Sequence, residues 1–134
     1  MIDVEIQKWI KHYESLDLHI YTDTSGHSTI GWGRNLKKGI RLDEAELMFQ
    51  NDLRDAVSEL EAFYWYNELP KPVQNALVNM NFNLGIVEFL NFRNMIHALI
   101  AKDYTKAAQE LLESSWAKQV GKRAKDIAVI ISQG

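Results

Sequence analysis

Two carboxyl side chains, Glu14 and Asp23, stand nine positions apart, and Thr29 follows six positions after the second. One carboxyl that gives a proton and one carboxylate that takes one are enough to hydrolyse an acetal, provided their surroundings differ. Glu14 falls where an apolar-periodic segment ends. The negative end of a helix there would favour the protonated carboxyl, and partial burial beneath Tyr13 or Leu16 would act in the same direction. Asp23 lies among Thr22, Thr24 and Ser25, a polar turn that suits the ionised form. Thr29 offers a hydroxyl to hold the water that a carboxylate could then deprotonate. This chemistry needs no metal and no cofactor. By spacing alone the pattern is weak: Asp before Thr-Ser-Gly is most often an Asx turn, and the chain has 18 acidic residues to pair by chance.

The elements that must hold these groups are legible in part. Asp3 is placed as an N-cap, and Ile6, Trp9, Ile10 and Tyr13 recur at helical spacing behind it, so a helix is predicted to end near Glu14. Leu18 and Ile20 then alternate with polar residues, Thr24-Ser25-Gly26 signals a turn, and Thr29-Ile30 leads into Gly31-Trp32-Gly33. A small β-hairpin or meander is expected here, closed by a loop at Lys37-Lys38-Gly39. Asp43-Glu44-Ala45-Glu46 reads as a capping box with Asp as the cap. Phe49, Leu53, Ala56, Val57, Leu60 and Phe63 form the stripe of one long amphipathic helix over 43–63, able to act as a strut between two lobes. Pro70 and Pro72 mark the next helix start, with Val73, Ala76, Leu77, Met80 and Leu84 as its buried stripe and Gly85 at its end. Further helices are predicted over 91–101, 104–113 and 121–131. The fold class is therefore α+β, predominantly helical, with its few strands before residue 40.

Composition bounds the function. At 134 residues, 46% hydrophobic and 25% charged, the chain suits one globular domain with a real core. With no cysteine it has no disulfide framework, thiolate metal site or thiol nucleophile. The first ten residues carry Asp3, Glu5, Gln7 and Lys8, unlike a secretory leader, and no apolar run is long enough to span a bilayer. A net charge of −3 argues against a general polyanion binder, nucleic acid included. From Arg93 onward the balance is seven basic to four acidic residues, against eight to fourteen before it. That asymmetry suits either two lobes of opposite charge or a mild attraction of the C-terminal part to an anionic polymer.

Three separated segments carry a resemblance. Glu14, Asp23 and Thr29, set on Ile20-Tyr21-Thr22-Asp23-Thr24-Ser25-Gly26 and Thr29-Ile30-Gly31-Trp32-Gly33, resemble the active-site segment of the phage-type lysozymes, glycoside hydrolase family 24. Asn79-Met80-Asn81-Phe82-Asn83-Leu84-Gly85 is similar to the family's Asn-Met-x-Phe-(Asn/Gln)-x-Gly helix end. Trp116, Gln119 and Arg123-Ala124 match its Trp-x-x-Gln-x-x-x-Arg-Ala segment.

The resemblance implies a single lysozyme domain over 1–134. It would have a β-containing lobe at about 14–42, a connecting helix at about 43–63, and a helical lobe at about 64–134 together with helix 3–13. It implies Glu14 as general acid, with Asp23 and Thr29 holding and activating a water that attacks with inversion. Gly33, Asn35, Phe82 and Asn83 would line the substrate cleft, and Arg123 would pair with Glu14. The implied substrate is the β-1,4 bond between N-acetylmuramic acid and N-acetylglucosamine in bacterial peptidoglycan. The implied setting is a phage or prophage endolysin, a monomer without cofactor or metal. It would be held in the host cytoplasm, reach the periplasm and wall through a separate holin-like pore, and not insert stably in the membrane. Three departures stand out: Ser15 replaces the glycine that often follows the acid, Arg34 stands where some members have His, and Val120-Gly121 replaces Thr-Pro.

Other residues carry less. His12, His19, His27 and His97 are scattered without metal-ligand spacing and read as surface or turn residues. Trp32 is a candidate for stacking on a sugar, whereas Trp116 and the cluster Phe63-Tyr64-Trp65-Tyr66 read as core. Rival functions are a lytic transglycosylase, which would need only Glu14, and a catalytically silent wall-binding or structural module of the same fold. The intact set of Glu14, Asp23 and Thr29 disfavours both.

Overall fold

The computed structural model describes residues 1–134. Asp3 caps the first helix, its Oδ1 accepting the Glu5 N–H at 2.8 Å, and α1 runs Val4–Glu14. The helix stops at Ser15, whose N–H reaches the Lys11 carbonyl and whose φ is +48°. A non-glycine residue in such a conformation costs about 1–3 kcal/mol. A glycine at this position would avoid that strain.

Three antiparallel strands follow in the order β1 (Asp17–Thr22), β2 (Ser28–Gly31) and β3 (Arg34–Asn35). Thr22 faces Ser28 and Tyr21 faces Thr29, and an irregularity then shifts the register before Asp17 meets Gly31. Between β2 and β3, Gly31 and Gly33 turn the chain at φ +70° and +80°. Those are values that a side chain resists, and this explains the Gly-Trp-Gly spelling. Asn35 Oδ1 accepts the Lys37 N–H at 2.9 Å and so caps a 3-10 turn over Leu36–Lys38. The predicted meander and its closing loop are both present.

The long helix α2 spans Leu42–Glu61. Its cap differs from the sequence reading. Arg41, not Asp43, precedes the helix: its carbonyl accepts the Ala45 N–H at 2.9 Å, and its own N–H donates to Glu44 Oε1 at 2.9 Å. That is the returning half of a capping box, made by a Glu at the third helical position. Asp43 lies inside the first turn.

The chain divides into two compact units, Met1–Leu47 and Met48–Gly134, with the division inside α2. The second unit continues with α3 (Tyr64–Asn67), α4 (Lys71–Leu84), α5 (Ile86–Leu90), α6 (Arg93–Ile100), α7 (Tyr104–Leu112), α8 (Ser115–Val120) and α9 (Lys122–Ser132). Pro70 precedes α4 and Pro72 sits in its first turn, while Gly85, at φ +81°, ends it and precedes α5. Asp103 and Ser114 cap α7 and α8 through the N–H groups of Lys106 and Ala117. Leu60, Val73, Leu77, Met80, Phe89, Met95, Leu99, Leu111 and Ile131 are fully buried in one core, with Leu53, Val57 and Phe63 packed on its margin. Trp65, Tyr66 and Trp116 belong to that core as expected, whereas Tyr64 is exposed. The helix expected over 91–101 begins at Arg93, after the separate short α5. No helix is long and apolar enough to cross a membrane.

Candidate active site

In the first unit, α1 and the β2–β3 turn place Glu14. A Cβ built on Gly33 would run into the Glu14 carboxylate, so the acid lies directly on the glycine backbone. Glu14 is exposed, and Tyr13 and Leu16, expected to cover it, are exposed as well. One turn earlier on α1, Lys11 Nζ lies 4.9 Å from the centre of the Trp32 ring, a cation–π contact that holds the indole beside the same turn.

The β1–β2 loop places Asp23 and Thr29, and His27 joins them. Asp23 N–H donates to the His27 carbonyl at 2.9 Å, and Gly26 N–H returns to the Asp23 carbonyl at 3.0 Å. Asp23 Oδ1 accepts two main-chain N–H groups, from Ser25 at 2.9 Å and His27 at 2.8 Å. The His27 ring approaches the other oxygen, with Nδ1 3.5 Å from Oδ2. The His27 N–H, helped by that of Ser25 and, when it is protonated, by the imidazole, holds the Asp23 carboxyl below its ordinary value, against a smaller opposing effect of burial. The expected ionised carboxylate therefore has a physical cause: Oδ1 is an acceptor shared by two amides.

Thr29 is buried, 2% exposed, and its Oγ1 donates to the His27 carbonyl at 2.9 Å. With its proton engaged, the hydroxyl can meet a water only as an acceptor. Asn35 uses its side-chain oxygen on the cap described above. Arg34 meets Glu44 two-pronged, Nη1 to Oε1 at 3.0 Å and Nη2 to Oε2 at 2.7 Å, and also reaches the Gly39 carbonyl at 3.4 Å. This pair, helped by the Arg41 N–H, pulls the Glu44 carboxyl down to about 2. Arg34 thus joins β3 to the start of α2.

In the second unit, Phe82 is 38% exposed and packs on Phe49 with ring centres 5.6 Å apart. Both line a mainly apolar groove of about 480 Å³ that also includes Arg123. Asn83 Oδ1 accepts the Trp116 indole N–H at 2.8 Å, and Asn79, one turn earlier, accepts Arg123 Nε at 2.8 Å while its carbonyl takes Nη2 at 3.1 Å. Two asparagines on one face of α4 therefore anchor α8 and α9. The pairing of Arg123 with Glu14 implied by resemblance joins residues of different units and stays a proposal.

Sequence reading missed His27 as a partner of Asp23, although its place four residues after Asp23 and two before Thr29 was visible. It also passed over Asn81. That residue is 1% exposed, donates to the Ala56 carbonyl and Glu59 Oε1, and leaves Oδ1 without a partner. No group of three His, Cys, Asp or Glu side chains is arranged to hold a metal ion.

With this geometry in place, comparison with known proteins is decisive. A model of the phage lysozyme family matches residues 11–129. The chain belongs to the phage lysozyme family. Membership makes it a lysozyme-type glycoside hydrolase and accounts for its mainly helical α+β fold with a small N-terminal sheet. Among curated family relatives, probable T4-type lysozymes 1 and 2 of Dictyostelium discoideum are 24% and 25% identical over 160 aligned positions, covering 96% of this chain and 94% of each. The pre-baseplate central spike protein Gp5 of Enterobacteria phage T4 is 26% identical over 162 positions, covering 98% of this chain. The chain spans only 28% of that protein's length.

Proposed function

We propose that the protein is an N-acetylmuramidase that cleaves the β-1,4 bond between N-acetylmuramic acid and N-acetylglucosamine in peptidoglycan, with inversion. The observation that carries this reading is the division of labour at Asp23. Oδ1 is committed to two main-chain amides, and Oδ2 is left on the side of the imidazole. A water can then donate one hydrogen to Thr29 Oγ1 and lose the other to Asp23 Oδ2 as its oxygen bonds the anomeric carbon. Glu14 gives its proton to the departing glycosidic oxygen. A positioned water on a carboxylate favours direct displacement over a covalent intermediate.

By resemblance, Gly33, Asn35, Phe82 and Asn83 are proposed as substrate contacts and Arg123 as the partner of Glu14. The grouping of α1 with the helical lobe has the same basis. Trp32 is proposed as a sugar-stacking residue from the place of its indole beside the β2–β3 turn. The biological role we assign is host lysis as a phage or prophage endolysin, acting as a monomer that gains the wall through a separate pore.

Digestion of purified peptidoglycan tests this reading. Mass spectrometry should find reducing N-acetylmuramic acid ends, and NMR of the first products should find the α-anomer. Anhydro-muramic ends would make the protein a transglycosylase instead, and no release across pH and ionic strength would make it a silent module.

A further inference from the structure

We propose that His27 is a positioning residue of this hydrolysis, whose neutral imidazole receives, through Asp23 Oδ2, the proton taken from the attacking water. The proposal rests on the muramidase reading and deepens it.

His27 is hydrogen-bonded to both members of the water-activating pair. Its carbonyl accepts the Asp23 N–H and the Thr29 hydroxyl, and its N–H donates to Asp23 Oδ1. The main chain of His27 thus sets the separation of carboxylate and hydroxyl, and the side chain is left to act on chemistry. Its Nδ1 stands 3.5 Å from Oδ2, the oxygen not held by amides. The imidazole side chain is 50% exposed and the carboxylate 35%, so a proton reaching Nδ1 has a path to bulk water.

Charged neighbours on the adjoining strands are few. On β1, Asp17 and His19 lie 4.0 Å from one another, and Tyr21 sits opposite Thr29. β2, Ser28–Gly31, carries no ionisable side chain.

The step balances without any co-reactant. The water O–H bond breaks and its proton goes to Asp23 Oδ2. The oxygen forms the new bond to the anomeric carbon while the old glycosidic bond breaks onto oxygen, which takes the Glu14 proton. Asp23 then passes its proton to His27 Nδ1, the imidazolium releases it to solvent, and the Glu14 carboxylate takes one proton back from solvent, which restores the starting state. Imidazole is ordinarily a stronger base than a carboxylate, so the transfer runs in that direction. A His27 already charged cannot accept the proton, and it competes with the water for Oδ2. Activity should therefore rise over the pH range in which histidines lose their charge.

The test compares wild type, H27Q and H27A on soluble peptidoglycan fragments between pH 4.5 and 8.5, with H19Q as control, each checked for folding by circular dichroism. H27Q should lose about tenfold in kcat at pH 7.5 with KM unchanged, and should lack the rise in kcat on that limb. Added imidazole should restore H27A in a saturable manner and leave wild type and H19Q as they are. Wild-type kcat and pH profile in H27Q would overturn the role of His27 while leaving the muramidase reading intact. A wild type that releases no fragments would instead sink both.

Discussion

The carboxylate of Glu14 occupies the space in which a side chain on Gly33 would begin. The residue at the end of α1 and the second glycine of the β2–β3 turn are therefore specified together. The glycine is needed twice, once for φ +80° and once for the acid resting on it. Gly33→Ala should cost about 1–2 kcal/mol in urea unfolding from the backbone alone. It should also displace the Glu14 side chain, reducing peptidoglycan cleavage by about tenfold or more. Wild-type activity in a folded Gly33→Ala variant would show that Glu14 acts from another position.

Glu14→Gln separates chemistry from structure. A general acid contributes about 10²–10⁴ in rate, so lysis should fall by that order. Glu14 is exposed, and its replacement should change stability by no more than about 0.5 kcal/mol. Thermal unfolding at ambient temperature would mark the residue as structural instead.

Ser15 should yield to glycine. Its φ of +48° follows directly on the acid, and Ser15→Gly should raise stability by about 1 kcal/mol as the native strain is released, less the added freedom of the unfolded chain. Denaturant midpoints measure it. A lowered midpoint would mean that the Ser15 side chain contributes more than its strained backbone costs.

The Arg34–Glu44 pair predicts an acid-sensitive first unit. The folded carboxyl titrates at about 2 against an ordinary 4.5, so its contribution is fully present above pH 4.5 and is lost as pH falls towards 2. Glu44→Gln should remove that window: stability measured from pH 6 to pH 2 should fall less steeply in the variant than in wild type. Parallel curves would show the pair to be energetically silent.

Asn81 offers a gain in the second unit. Its buried Oδ1 has no partner, and the groups that its nitrogen serves are a helix carbonyl and the half-exposed Glu59. Asn81→Leu should stabilise the protein by about 1 kcal/mol, read from the urea midpoint. A loss of similar size would mean that the amide bond to Ala56 outweighs the orphaned oxygen.

What sequence revealed and what it hid follow from length and from the kind of atom involved. The long stripe of α2, the prolines before α4 and the Asp3 cap repeat or punctuate strongly enough to be read. The helices α3 and α5 have four and five residues, too few for a period to show. The α2 cap was misplaced because two acidic residues in succession both look like caps, and only the bond from Arg41 distinguishes them. Glu14, Asp23 and Thr29 were legible as a set through the resemblance. His27 was not, because most of what it does is done by its carbonyl and amide, which every residue possesses.

That use of main-chain atoms has an evolutionary consequence for the loop between Asp23 and His27. Its shape does not depend on what side chains Thr24 and Ser25 present, so these positions can drift in composition without moving the reactive groups. They cannot drift in number. One residue gained or lost would carry the His27 amide and carbonyl out of reach of Asp23 and Thr29 together, so the spacing of this segment is bound to outlast its spelling.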